Sequence, residues 1–265
     1  MQPFGFILNK EAPFLLAAVR IFAMLMTSPL MSMRNVSRIV KIALAGLAAF
    51  MVTPYAYSGF TVPNAFTLEY VLLLLGEGLI GVLTGFFINI LFSTFSTAGQ
   101  FFSFQMGFGA SEVFDALAQI ENPLMGQYFN FIAALVFLRI NGFQKIFLGG
   151  VMKSIENVNC LLFLQRQEVL SNYLLHAVGT LFLNAIVISL PVMGTLILIH
   201  VTMGLLTKAA PQMNLLSEGF PVTILTAFLI LAIALPFFIN TFEIILENGL
   251  VGFWNLLDKL RGIGV

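Results

Sequence analysis

The sequence predicts an all-α membrane protein, and three observations support that prediction. Of the 265 residues, 59% are hydrophobic and only 9% are charged, whereas average soluble domains carry about 25% charged residues. The mean hydropathy is +1.00. The apolar residues also form continuous runs close to the roughly 20 residues that a helix needs to cross the hydrocarbon core. A soluble fold of this length would lack the polar residues needed to cover its surface.

Six apolar runs are candidate helices, at residues 12–33, 42–57, 69–96, 124–138, 169–207 and 220–246. The fifth run carries no charged residue and is nearly twice as long as one crossing. It includes Pro191, which removes a backbone hydrogen bond, so it predicts either one long bent helix or two segments meeting at a break. The long uncharged run at 78–111 leaves the same choice open, and ordinary tilted spans also fit both runs.

The basic residues do not give a simple membrane topology. Arg34, Arg38 and Lys41 lie between the first two runs and predict a cytoplasmic loop. If each run crosses the membrane in turn, Lys145 and Lys153 lie on the opposite side of the membrane from that loop. Basic residues predicted on both sides of the membrane indicate either a re-entrant segment or a chain whose runs do not all cross the bilayer in succession.

The chemistry-bearing residues argue against an enzyme, a metal site or a cofactor. Twelve basic and twelve acidic residues cancel, so no basic field predicts nucleic-acid binding. Cys160 is the single cysteine, and His176 and His200 are far apart, so no metal-ligand spacing is present. No nucleophile, base and carboxylate occur with catalytic spacing. We expect the N-terminal run to be mature structure rather than a signal peptide.

One glycine-rich motif has two interpretations. Gly76-Glu77-Gly78-Leu79-Ile80-Gly81 matches the dinucleotide-binding pattern, but it lies inside an apolar run without the required strand before it or acidic residue after it. Gly81 and Gly85 instead form G-x-x-x-G, which allows a second helix to approach closely. The sequence favours helix packing.

Charged residues in or beside apolar runs are costly in lipid and normally face protein or water. Glu77, which lies within a run, could carry protons in a small-solute or proton-coupled transporter, which is the main alternative function. A role in packing or in contact between subunits is the other interpretation. The remaining members of this set are Arg20, Glu69, Arg139, Glu243 and Glu247.

Two further segments could carry function. Residues 107–122 interrupt the apolar pattern with glycines and acidic residues, which fits a surface loop or a constriction lining a water-filled pore. The C-terminal stretch 242–261 has the spacing of an amphipathic helix, suited to lipid headgroups or to a docked partner.

Several motifs together resemble a known family. They are Gly99-Gln100, Phe104-Gln105-Met106-Gly107-Phe108-Gly109, Leu205-Leu206-Thr207-Lys208-Ala209-Ala210-Pro211-Gln212-Met213-Asn214 and Gly219-Phe220-Pro221. In kind, order and position they resemble the FliR family, the R-type component of the flagellar type III export gate, which is related to the T-type protein of virulence secretion systems. The resemblance covers nearly the whole chain.

The resemblance implies a single non-enzymatic, pore-forming subunit spanning residues 1–265 and built from bent helical hairpins, like one P-type subunit fused to one Q-type subunit. Its implied partners are the P-type and Q-type gate subunits FliP and FliQ, the B-type switch protein FlhB and the A-type export protein FlhA, together with membrane lipid. Unfolded flagellar proteins would pass through the assembled gate. The implied location is the flagellar basal body in the inner membrane, protruding toward the periplasm.

The resemblance also implies roles for particular segments. A plug closing the pore from within would comprise Gly107, Phe108, Gly109, Ala110, Ser111, Glu112, Val113, Phe114, Asp115, Leu117, Ile120, Glu121 and Asn122. A turn contacting partners at the cytoplasmic mouth would comprise Lys208, Ala209, Ala210, Pro211, Gln212, Met213 and Asn214, with Gly219, Phe220 and Pro221 opening the last long helix.

Overall fold

The computed structural model describes residues 11–29, 37–54, 67–107, 124–157, 166–210 and 215–261, and within these ranges every regular element is helical. This confirms the all-α prediction. The helices are α1 (Glu11–Thr27), α2 (Arg38–Val52), α3 (Leu68–Met106), α4 (Leu124–Arg139), α5 (Gly142–Lys145), a π-helix (Ile146–Met152), α6 (Lys153–Asn157), α7 (Gln167–Ala209), α8 (Leu215–Ile233) and α9 (Leu235–Arg261).

Two helices are much longer than one bilayer crossing. α3 has 39 residues and α7 has 43, so at 1.5 Å per residue they measure about 58 Å and about 65 Å, against a hydrocarbon core of about 30 Å. By length and composition both could span a membrane, and the described residues contain up to four spans if two bent helix pairs each count as one. The chain is therefore a membrane protein with helices that must tilt or extend beyond the hydrocarbon.

Within the described residues, the two long runs are each one helix rather than two segments meeting at a break. α7 continues through Pro191. The hydroxyl of Thr195 donates to the carbonyl of Pro191 at 2.8 Å, and the hydroxyl of Ser189 donates to the carbonyl of Ile186 at 2.9 Å. Both bonds go to carbonyls on either side of that of Val187, which Pro191 leaves without its intrahelical donor.

The last predicted run, 220–246, differs from the prediction at its start and in its middle. α8 begins at Leu215, so Gly219, Phe220 and Pro221 lie inside a helix and do not open one. The helix path then bends by 64° at the break between α8 and α9. Pro236 stands in the first turn of α9, where its missing N–H leaves no intrahelical bond unmade, and its ring disfavours continuation of the preceding helix.

The chain divides into two compact units, and the first contains the described residues within Met1–Ile90, Asn141–Ala177 and Asn248–Val265. In this unit α1 packs on α2, and Leu16, Ala17 and Ile21 of α1 are almost fully buried. Farther along α3, the ring of Phe87 stacks on Phe253 with a centroid separation of 4.9 Å. Helical segments distant in sequence therefore share one apolar core.

The second unit is assembled from Leu91–Ile140 and Val178–Glu247, and aromatic rings fill its core. Phe95, Phe102, Phe129, Phe238 and Phe242 are all fully buried. The centroids of Phe95 and Phe242 lie 4.4 Å apart, and those of Phe129 and Phe238 lie 5.1 Å apart. These rings pack against one another inside the unit, whereas Phe104, Phe131 and Phe182 are each more than half exposed.

The C-terminal amphipathic helix is longer than its predicted range, 242–261, because α9 begins at Leu235. Its apolar face is buried within the chain. Leu246, Leu250 and Leu257 are all nearly inaccessible. These leucines therefore pack within the chain, while Ile244 and Val251 of the same helix are exposed, and a role for the helix at lipid headgroups or at a docked partner stays a prediction.

Candidate functional site

A buried ion pair joins α1 to α3 in the first unit. The Nε of Arg20 donates to the carboxylate of Glu77 at 2.5 Å, and the two side chains are 2% and 3% exposed. A charge without a partner is very costly in such surroundings, so the pair explains how both residues occupy an apolar interior. Glu77 is the charge that the sequence left with two interpretations, and Arg20 is its intrachain partner.

A third residue extends this pair into a network. The Nη1 of Arg20 donates to the hydroxyl of Ser154 at 3.2 Å, and that hydroxyl donates to the carbonyl of Val151 at 2.9 Å. Ser154 is 1% exposed and lies in α6. The network thus connects α1, α3 and the segment that follows the π-helix.

Glycines on α3 bring α1 close enough for the pair to form. A Cβ built on Gly81 would clash with the carbonyl of Arg20 and lie 2.9 Å from the Cβ of Ala23. One turn later, a Cβ on Gly85 would clash with the hydroxyl of Thr27 and lie 2.6 Å from the carbonyl of Met24. The two helices therefore run parallel with backbones in direct contact, as small-residue motifs allow. The same glycines lie inside a helix, so they form no phosphate-binding loop.

We expect Gly85→Ala to lower the amount of folded chain in membranes severalfold, because the added methyl must displace the backbone of α1. Overpacking of this kind costs about 1–3 kcal/mol. The measurement is the quantity of full-length chain in the membrane fraction at equal expression. Gly46→Ala is the matched control, since a Cβ at Gly46 meets nothing within 4 Å, and equal accumulation of the two variants would contradict the packing role.

Two other ion pairs between described residues are partly exposed, in contrast to the buried Arg20–Glu77 pair. Arg139 and Glu243 are 3.7 Å apart at side-chain exposures of 64% and 32%, a geometry worth little in stability. Lys153 contacts Asp258 at 3.0 Å, with both side chains about two-fifths exposed. These contacts join segments of the same chain.

The second unit contains the helix end from which the predicted plug departs. α3 ends at Met106, and Gly107 has φ +89°, which is the left-handed conformation that closes many helices and favours glycine. The N–H of Gly107 donates to the carbonyl of Phe104 at 3.2 Å. A Cβ at Gly107 would also clash with the ring of Phe220. Both the backbone and the space there require glycine.

Two further contacts fix this end of α3. The Nε2 of His200, on α7, lies 3.0 Å from the carbonyl oxygen of Gln105, where a ring N–H can donate. At the other end of the predicted plug, α4 starts at Leu124, and a Cβ on Gly99 would lie 2.5 Å from the carbonyl oxygen of Met125. Both ends of the segment therefore leave from packed helices.

The described residues include only part of each predicted site. In the plug, Gly107 is described and residues 108–122 lie outside the described ranges. In the predicted turn, Lys208 and Ala209 belong to the last turn of α7, Ala210 follows it, and 211–214 lie outside the described ranges. Among the described residues, no group of three His, Cys, Asp or Glu could hold a metal ion.

Most of the chain matches a known protein family. The model of bacterial export proteins, family 1, matches residues 12–249. The chain belongs to the FliR family of bacterial export proteins. The match confirms the family predicted from the sequence motifs, and it includes α1 to α8 and part of α9.

Named relatives agree with this assignment. The flagellar biosynthetic protein FliR of Bacillus subtilis is 27% identical over 250 residues, which cover 91% of this chain and 95% of that protein. The FliR of Escherichia coli K12 is 28% identical over 82% of each chain. That of Borreliella burgdorferi is 34% identical over 64% of this FliR-family chain and 63% of its own length.

Sequence reasoning missed several residues of these sites. It singled out Arg20 and Glu77 separately but not as partners, and it did not single out Ser154 at all. It identified His200 only as a solitary histidine. Helical spacing gives no signal for these contacts, because each joins segments that are far apart along the chain.

Proposed function

We propose that this chain is a non-enzymatic, pore-forming subunit of the flagellar type III protein export gate. The observation that carries the proposal is the family match over residues 12–249. The chain is a membrane component of the flagellar export apparatus. Its helices offer packing surfaces and one buried ion pair, and we assign no catalytic step to it.

Exposed apolar stripes support assembly with other helical subunits. On α7, Leu183, Leu190, Leu198 and Leu205 recur at intervals of seven or eight residues and are each more than half exposed. On α8, Leu225, Leu229 and Ile233 form a second stripe with exposures of 70%, 59% and 73%. Such stripes need lipid or partner helices to cover them.

FliP and FliQ are the partners we assign to these stripes, with FlhB and FlhA at the cytoplasmic face and unfolded flagellar proteins as the cargo. The location is the inner membrane within the flagellar basal body, with part of the gate on the periplasmic side. The excess length of α3 and α7 over the hydrocarbon thickness supports a subunit that extends out of the bilayer.

Within the gate, the segment 107–122 is proposed to plug the closed pore. Glycine at 107 supports this role because it lets the chain leave α3 abruptly, and the packing of Gly107 on Phe220 gives the segment a fixed origin. Apolar side chains along the segment, such as Phe108, Phe114 and Leu117, would seal a narrow lumen by excluding water.

The alternative function is transport of a small solute or of protons, in which Glu77 would carry the protons. The carboxylate of Glu77 contacts the guanidinium of Arg20 at 2.5 Å in a nearly inaccessible site. This contact supports a structural role for Glu77 in helix packing, and no other observation among the described residues favours a carrier.

Co-expression tests the proposed function. We expect the tagged chain to purify with the P-type and Q-type subunits as one detergent-stable complex, and to be recovered in far lower amounts when either partner is left out. Omission of an unrelated membrane protein from the same expression system is the control. Recovery of a stable monomer that transports a small solute in liposomes would overturn the proposal.

A further inference from the structure

In the second unit, the surface side of α3 is polar. Ser93, Ser96, Thr97 and Gln100 are all partly exposed. They stand at positions i, i+3, i+4 and i+7, which share one side of an α-helix. These four residues form the polar face of α3.

The core on the other side of α3 fixes the direction of this face. Phe95, Ala98 and Phe102 are fully buried, and a Cβ on Gly99 would clash with the carbonyl of Met125 on α4. The helix therefore cannot rotate to bring its polar face into the core, and the face points away from the unit.

The surfaces of neighbouring helices in this unit are apolar. On α4, Phe131, Leu135 and Leu138 are each more than half exposed, and α7 and α8 carry the apolar stripes already described. Such surfaces fit lipid or partner helices. Hydroxyl and amide groups placed in hydrocarbon would instead lose their hydrogen bonds to water, which is costly. The polar face of α3 therefore indicates a surface in contact with water.

Ser103 indicates water at this surface independently. It lies two turns after Ser96 on the same side of α3, and it is 2% exposed. Its hydroxyl oxygen is buried and has no hydrogen-bond partner among the described residues. Buried hydroxyl groups are normally bonded to protein or to ordered water, so a water molecule held beside the polar face would complete the bonding of Ser103.

The polar face leads toward the end of α3. From Gln100 to Gly107, where the helix has ended, the rise is about 10 Å. Phe104 follows Gln100 on the same side and is 66% exposed, so an apolar ring closes the polar face one turn after Gln100. Hydroxyl and amide groups followed by an apolar ring suit the wall of a water-filled channel that leads to a constriction.

We propose that the polar face of α3 lines the water-filled channel of the export gate and contacts the unfolded protein that passes through it. This inference rests on the proposed pore-forming function. Hydroxyl and amide groups can donate to and accept from water and any peptide backbone. Because they carry no charge, they form no ion pair that would hold a passing side chain. Such a wall suits cargo of varied sequence.

Thiol labelling of the assembled gate tests the face. Cys160 is the single cysteine, so Cys160→Ala gives a background for Thr97→Cys and Gln100→Cys. The controls are Ala98→Cys, at a fully buried position, and Leu135→Cys, at a position 51% exposed on α4. Each complex with the P-type and Q-type subunits is treated in detergent with the charged reagent 2-sulfonatoethyl methanethiosulfonate. We expect the two polar-face positions to react about tenfold or more faster than the controls, since apolar surroundings disfavour the reactive thiolate.

A stalled cargo distinguishes the channel from any other surface in water. An export substrate fused to a domain that stays folded should stop in the gate and slow the labelling of Thr97→Cys severalfold. The same substrate without that domain is the control and should leave the labelling rate unchanged.

The outcomes separate this inference from the proposed function. An assembled complex whose polar-face variants react as slowly as Ala98→Cys would overturn the inference and leave the gate assignment standing, as would labelling that stalled cargo does not slow. A chain that forms no complex with the P-type and Q-type subunits would overturn the proposed function, and the inference with it. Ser96→Cys, which exchanges one oxygen for sulfur, serves if the other changes prevent assembly.

Discussion

Glu77→Gln is expected to reduce the recovered export-gate complex by about tenfold or more, because the change leaves the buried guanidinium of Arg20 without its carboxylate. Removing one member of a buried ion pair costs about 3–5 kcal/mol, which is a large part of the 5–15 kcal/mol that stabilises a typical domain. The measurement is the yield of assembled complex after affinity purification, with the amount of full-length chain in membranes measured alongside.

Two controls separate this effect from general sensitivity to charge loss. Glu69→Gln removes an exposed carboxylate from the first turn of the same helix and should leave the yield unchanged. The double variant Arg20→Met with Glu77→Leu replaces both charges by apolar groups, which is often neutral for a buried pair, so it should recover much of the loss. A normal yield of Glu77→Gln together with export that no longer depends on the proton motive force would instead make Glu77 a proton carrier.

Local spacing explains which part of this site could be predicted from the sequence. Gly81 and Gly85 stand four residues apart in an apolar run, and that pattern alone predicts a close helix approach. The identity of the approaching helix does not follow from it. Arg20 lies 57 positions before Glu77, and its pairing depends on the parallel packing of α1 along α3.

Prolines show why helix boundaries were harder to predict than helix existence. Pro191 lies within a continuous helix, whereas Pro236 follows a break at Ala234. Both stand in strongly apolar stretches, and the sequence predicted only that the first could be a kink or a break. Whether a helix continues depends on how neighbouring groups satisfy the freed carbonyl, which is a tertiary property.

The segment 142–157 is the clearest omission of the sequence analysis. It forms α5, a π-helix and α6, although its glycines and its two lysines interrupt the apolar run. A Cβ on Gly149 would clash with the indole of Trp254. The side chain that packs on this segment comes from the far end of the chain, so neither propensity nor periodicity could indicate it.

Deletion of the residues from Gly109 to Glu121 is expected to make membranes that contain the assembled gate leaky to small ions. The apolar side chains of the predicted plug exclude water from the closed lumen, and without them the pore would fill and conduct. We expect ion permeability to rise roughly tenfold or more over the intact gate. The measurement is potassium efflux from proteoliposomes that hold equal amounts of complex.

Assembly should survive this deletion, because the helices that flank it are held by contacts outside it. The core of the second unit includes Phe102 on α3 and Phe129 on α4, whose rings lie 5.2 Å apart, and Gly107 keeps its contact with Phe220. A variant in which a polar sequence of equal length replaces the deleted residues distinguishes loss of the seal from loss of the connection. It should leak as the deletion does, and an intact permeability barrier in both variants would rule out the plug while leaving the family assignment unaffected.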